Sequence, residues 1–306
     1  MHLQAASSLI TSLTTLQPKI STSFLGPSTC KSKGVEISQN VSFGDRVRSG
    51  TINENAIDTI VGAFIALDIL SSSSTRSPSL LRADHKYWLR DKNIQICPLT
   101  GCSVSVMMLI SQISGLEEWK RECEARSSLS IMKLSKRASC IETALEDLIG
   151  GNSSKVEAAI PALKMKHPTV IPTPSTSELN SSVVSSVFAH SAVTYLHVVV
   201  SGAHPELNEI QQSVSKTLLI LKALPDPQLL RCMVWPFCVT GCLAVREQEN
   251  ELRNLAIAAG ASERGPGALW NSLKFMEDCW QRRDQNAASQ DWTAAMSRLG
   301  SKVLLF

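Results

Sequence analysis

Apolar residues in this chain recur every three or four positions, and no sustained every-second pattern is found anywhere along it. Leu207, Ile210, Val214, Leu218 and Leu221 fall on one face of a helix, which turns once in about 3.6 residues, whereas a strand would require alternation. The same spacing returns in Ile57, Ile60, Val61, Phe64, Ile65, Leu67 and Leu70. It returns again in Val104, Met107, Met108, Ile110, Ile113 and Leu116, which lead into the charged residues Glu117, Glu118, Lys120 and Arg121. A further set, Leu134, Ile141, Ala144, Leu145 and Leu148, lies opposite Lys136, Arg137, Glu142 and Glu146. These patterns predict an all-α protein, an irregular multi-helix array with no fixed-length repeat.

Breakers divide the array. Residues 1–54 read as an N-terminal helix, with Leu3, Leu9, Ile10, Leu13 and Leu16 on one side, followed by a flexible linker dense in Ser, Thr and Gly. Residues 55–306 read as the folded region. Ser71 to Ser74 are expected to end its first helix and Gly150 with Gly151 its third. Pro161, Pro168, Pro172 and Pro174 mark 152–177 as an internal linker. Glu178 to Val200 continues as helix, and Gly202 is expected to end it. Pro205 suits the first turn of the next helix, and Asp226 followed by Pro227 reads as an N-cap and first helical position. Pro236 should kink or interrupt the helix beyond it. The last two predicted helices, Glu247 to Ala259 and Ala268 to Arg283, flank Gly260 and the Gly265–Pro266–Gly267 turn.

Composition narrows the function. Thirty Lys and Arg against 27 Asp and Glu leave a formal charge of +3. The basic residues are scattered in short groups such as Arg282 with Arg283, so no footprint for direct DNA binding is seen. The apolar stretch from Ile57 to Leu70 contains Asp58 and Asp68, and that from Met233 to Val245 is too short to cross about 30 Å of hydrocarbon. No membrane span is expected. The odd number of cysteines, nine, and their dispersal suit a reducing intracellular compartment. The Ser- and Thr-rich stretch before Glu36, the first acidic residue, lacks the arginines of an organelle transit peptide.

Signs of chemistry are sparse. Cys97 with Cys102, and Cys232, Cys238 and Cys242, are the cysteines to weigh as zinc ligands, but none forms a CxxC pair. The six-cysteine pattern of a binuclear zinc cluster is absent from these 306 residues. Buried thiols explain such cysteines more simply, and no metal site or cofactor is expected. His190, His197 and His204 repeat every seventh residue, without a ligand motif to make them more than ordinary histidines. Glu247, Glu249, Glu251, Glu277 and Asp278 read as solvated helix faces, and no nucleophile elbow, phosphate loop or HExxH sequence occurs, so no catalytic residue is assigned. Trp119, Trp235, Trp270, Trp280 and Trp292 are expected to anchor packing, since each buries a large area. If a small effector binds between helices, Met233, Trp235 and Phe237 are the candidate pocket residues.

Several blocks carry a family resemblance. Ala192 to Gly202 (AVTYLHVVVSG), then His204-Pro205-Glu206-Leu207, Ala223 to Leu230 (ALPDPQLL) and Met233 to Leu243 (MVWPFCVTGCL), resemble the fungal-specific transcription factor domain in order and spacing. Leu269-Trp270, Met276-Glu277, Cys279-Trp280 and Asp291-Trp292 are similar to its ending. Ala63 to Ser74 and Leu109 to Lys120 resemble the subgroup related to acriflavine-sensitivity regulators. The resemblance spans roughly residues 55 to 306. It implies a helical domain that follows a zinc cluster, acts in the nucleus on transcription, and works through self-association, a zinc-cluster partner or a small effector. It supplies no catalytic residues. A small-molecule-binding module and an enzyme recruited onto the same scaffold are the alternatives.

Overall fold

The computed structural model describes residues 43–81, 84–164, 174–263, 265, 267–285, 291–300 and 305, with side chains described from residue 56 onward except at 84, 155, 158–164 and 174–177. Among these residues the protein is helical and contains no strand, as the periodicity requires. The elements are α1 (Phe43–Thr75), α2 (Asp84–Lys86) running into a π-helical turn (Tyr87–Asp91), α3 (Cys97–Thr100), α4 (Val104–Ala125), α5 (Ile131–Lys164) and α6 (Pro174–Ser201). They continue with α7 (Asn208–Lys222), a 3-10 turn (Pro227–Cys232), α8 (Val234–Cys242), α9 (Arg246–Ala258), α10 (Ala268–Asp284) and α11 (Trp292–Arg298). The predicted helix in the first seventeen residues lies outside the described residues.

Helix α6 is the hub, packed against α4, α5, α7 and α8. Val183, Val187, Ala192, Tyr195, Leu196 and Val199 are all buried, so its apolar character extends around the helix as a central position demands. Two helical stretches, Ala56–Thr75 and Glu178–Ser201, are long and apolar enough to cross a membrane, but 56% and 78% of them is buried inside the protein. Packing accounts for their composition. One continuous core joins α1 to α11, because the C-terminal helix returns to contact α1 and α8.

Several helices run past their expected limits. Helix α1 begins at Phe43, inside the stretch predicted as linker, and continues through Ser71 to Ser74 to Thr75. Ser72, Ser73 and Ser74 are buried, and the Ser72 and Ser73 hydroxyls donate to carbonyls one turn back, Ile69 O at 3.0 Å in both cases. A serine so bonded adds no unsatisfied group and need not end a helix. Helix α5 passes through Gly150, Gly151 and Pro161 to Lys164. The two glycines are exposed and no neighbouring atom lies within 4 Å of where their side chains would begin, so they cost helix propensity without breaking the helix.

Other punctuation behaves as read only in part. Gly202, with φ +90°, ends α6. The Asp226 carboxylate accepts the Gln228 N–H at 2.8 Å with Pro227 following, although the turn it opens is 3-10. Pro205 lies before α7, outside its first turn. Pro236 sits in the first turn of α8, where its missing N–H leaves no bond unmade, so the chain restarts as a new helix at Val234 and is not kinked.

Candidate functional site

Asp68, the charge inside the apolar run of α1, is 2% exposed and organises the segment that follows the helix. Its carboxylate accepts the backbone N–H groups of Leu80 at 2.9 Å and Leu81 at 3.1 Å and the Ser79 hydroxyl at 2.6 Å. It also meets His85 Nε2 at 2.8 Å. Burial pushes this carboxyl up, but the bonds from His85, Ser79, Leu80 and Leu81 outweigh it and hold it below its ordinary 3.8. An ionised carboxylate accepts only, so His85 donates its Nε2–H to Asp68, while Nδ1 lies 2.8 Å from the Ser111 hydroxyl.

Ser111, His85 and Asp68 have the composition of a hydrolase triad but not its setting. Ser111 lies within α4, where backbone N–H groups are committed to carbonyls four residues back, so none is free to stabilise an oxyanion. The arrangement works as a clasp. It fixes α2 against α4 and orients His85 and Ser111 on the wall of a cavity of about 300 Å³, which Met108, Gln112, Ser114 and Gly115 also line. A second cavity of about 570 Å³ lies between the π-helical turn, α4 and α5, lined by Leu89, Arg90, Leu109, Ala144 and Leu148 among others. Met108 and Gln112 stand on the walls of both.

A polar junction adjoins the first cavity. The Ser114 hydroxyl lies 3.4 Å from Tyr195 Oη, which donates to Glu117 at 2.7 Å. Arg76 Nε donates to the other Glu117 oxygen at 2.5 Å, and a second guanidinium nitrogen pairs with Asp291. Asp291 in turn caps α11 by accepting the Thr293 and Ala294 N–H groups, each at 3.0 Å, and Trp292 donates its indole N–H to Ser74 O at 2.9 Å. Glu117 and Asp291 are buried, and their charges raise the Arg76 pKa against the opposing effect of burial, so the arginine stays charged. Burial and the Glu117 charge push the Tyr195 phenol well up, so it stays protonated and donates. Four elements, α1, α4, α6 and α11, are joined here.

The residues expected to line a pocket lie elsewhere. Met233, Trp235 and Phe237 are fully buried and border neither cavity. Trp235 stacks on Phe188 with ring centres 5.9 Å apart and meets the edge of Tyr195 at 6.0 Å. Trp280 and Trp292 are also buried in the core, while Trp119 and Trp270 lie under Arg137 at 4.1 Å and Lys274 at 4.5 Å.

The three histidines do not converge. His197 meets Glu142 at 3.2 Å, and His204, past the end of α6, meets Glu206 at 3.1 Å. Burial and the nearby Lys216 charge lower His190 to about 4. Cys238 and Cys242 place their sulfurs 4.0 Å apart in the core; burial pushes Cys102 and Cys242 well above the ordinary thiol range, and the bond with Cys242 followed by burial does the same to Cys279. Among the described residues no three His, Cys, Asp or Glu side chains come together as a metal site requires. Glu249, Glu251, Glu277 and Asp278 are paired with Arg283, Lys222, Arg253 and Arg298 on helix faces.

The profile of the fungal specific transcription factor domain matches residues 1–306. The chain belongs to this family. Its relatives include the trichothecene biosynthesis transcription regulator of Trichoderma arundinaceum, 37% identical over 214 residues, covering 69% of this chain and 45% of that protein. Transcription factor dibT of Pestalotiopsis microspora is 30% identical over 270 residues, covering 83% and 42% of the respective chains. The ustiloxin B cluster transcription factor ustR of Aspergillus flavus is 28% identical over 270 residues, covering 85% and 44%. The chain therefore spans less than half the length of these relatives. No solved structure matches it. The family and these relatives are named as transcription factors.

Proposed function

We propose that this chain is the regulatory region of a fungal transcription regulator, working in the nucleus to control a set of biosynthetic genes. It acts through protein contacts, with a second copy of itself or with a zinc-cluster transcription factor. Kinship carries this reading: among the relatives that align over most of the chain, one is named as a regulator of trichothecene biosynthesis and another as the transcription factor of the ustiloxin B cluster. The absence of a concentrated basic patch supports protein contacts over direct DNA contacts for this stretch. Ile131 and Met132, adjacent at the start of α5, are 67% and 82% exposed and offer an apolar anchor for a partner.

The test is a transcript profile of a strain lacking the gene, taken under conditions in which the protein is normally made. A group of functionally linked biosynthetic genes is expected to change together. An unchanged profile would remove the reading. A second reading, a small-molecule-binding module on the same scaffold, is favoured by the cavities along α4 and is compatible with the first.

A further inference from the structure

We infer that the tip of the hairpin formed by α4 and α5 is a docking surface for an acidic peptide segment of another protein, one whose Asp and Glu residues are interspersed with Leu and Phe. The inference rests on the reading that the chain works through protein contacts, and it names the chemistry of one such contact.

The tip stands clear of the core. Helix α4 ends at Ala125 and α5 begins at Ile131, and no residue between Glu117 and Leu134 is buried. Met132 and Ile131 are nevertheless the two most exposed large apolar side chains among the described residues, and they are neighbours in the chain. One apolar side chain in water needs no explanation. An adjacent pair on a projecting tip adds nothing to the fold and marks a surface that another molecule covers.

Charge narrows what covers it. No Asp or Glu occurs between Glu124 and Glu142, whereas Arg126, Lys133, Lys136 and Arg137 do. Met132, Lys133, Lys136 and Arg137 share one side of α5, opposite the buried stripe of Leu134, Ala138, Ile141 and Leu145. The two flanking acids are turned elsewhere, Glu124 to Lys120 at 3.9 Å and Glu142 to His197 at 3.2 Å, and Arg126 is paired with Glu122 at 3.8 Å. Among the described residues Lys133, Lys136 and Arg137 make no ion pair, and Arg137 lies over the Trp119 ring. Arg253, Arg283 and Arg298, on α9, α10 and α11, each meet a carboxylate.

An uncompensated cationic side beside an exposed apolar pair complements a segment that is acidic and apolar at once. Other occupants fit less well. A second copy docked tip to tip would set lysine against lysine. Duplex DNA would use the lysines, but a DNA site neutralises about six to ten phosphates, and phosphates give Ile131 and Met132 nothing to bury against.

The experiment uses the full chain and a fluorescein-labelled peptide in which Asp and Glu are interspersed with Leu and Phe, beside a control of equal charge with Ser in place of Leu and Phe. In about 0.15 M salt, where the fields of exposed charges fade over about 8 Å, fluorescence anisotropy is expected to show saturable binding of the first peptide and at least about tenfold weaker binding of the control. Ile131→Ser with Met132→Ser, and separately Lys133→Glu with Lys136→Glu, are each expected to weaken binding by at least about tenfold. All four side chains are exposed, so both variants should melt close to the parent chain. No binding of the first peptide, equal binding of the two peptides, or unchanged binding to the folded variants would overturn the surface. Displacement of the peptide by duplex DNA or by phosphatidylserine vesicles at equal charge concentration would assign the tip to nucleic acid or to membrane, and overturn it as well. Transcript profiles separate this failure from failure of the regulatory reading. If a strain carrying all four substitutions regulates as the parent while a deletion strain does not, the regulator stands and the docking surface falls.

Discussion

Two residues have environments that make firm demands. Arg76 adopts φ +50°, a left-handed conformation unusual for a non-glycine residue, and holds two buried carboxylates in that position. Replacing it with Ala leaves Glu117 and Asp291 buried without their counter-charge, which is expected to cost about 3–5 kcal/mol in urea unfolding. Arg76→Gly removes the backbone strain as well, so it should be the milder of the two. His190 sets a pH dependence. Its pKa, lowered to about 4 from an ordinary 6.5 by burial and by Lys216, means the unfolded chain binds a proton between those values that the folded chain does not. Stability should therefore fall as pH drops from about 6.5 towards about 4, by about 1–3 kcal/mol allowing for the partial exposure of the ring. His190→Gln should flatten that part of the curve, measured as thermal midpoint against pH.

At the scale of elements, α8 and α10 cross where Gly241 faces Met276. A side chain begun at Gly241 would run into the end of the Met276 side chain, which is fully buried and would have to shift within the core. Gly241→Ala is expected to destabilise by about 1–3 kcal/mol in denaturant unfolding, and by more if the Trp280 indole loses its 2.7 Å bond to the Gly241 carbonyl. On α4, by contrast, Gly115→Ala should raise stability by about 0.5–1 kcal/mol, because only helix propensity changes.

The elements themselves were largely legible in the sequence, since 3.6-residue periodicity reports which face is buried. Their ends were less so, and for a physical reason. Serine and glycine stop a helix only when tertiary contacts do not favour its continuation. The Ser72 and Ser73 hydroxyls bond back to the helix, while Gly150 and Gly151 lie exposed where nothing contests the helical path. The candidate site was not legible from periodicity. Met233, Trp235 and Phe237 mark the core, and an apolar, aromatic run alone does not distinguish a cavity wall from a packed interior. One signal did point to the site. Asp68 interrupts an apolar run, and a buried carboxylate must find donors, here from Ser79, Leu80, Leu81 and His85.

For the molecule as a whole, one continuous core and a C-terminal helix that returns to α1 make the distant parts of the chain interdependent. The cavity lies along α4, the apolar residues Ile131 and Met132 stand exposed at the start of α5, and the Arg76 junction joins α4 to both ends of the described fold. If the protein acts on transcription at promoters through its partners, chromatin immunoprecipitation of the tagged protein, expressed from its own locus, should show enrichment at the promoters of the genes whose transcripts change when the gene is deleted. Enrichment no greater than an untagged control at those promoters, in cells where the protein is present, would contradict it.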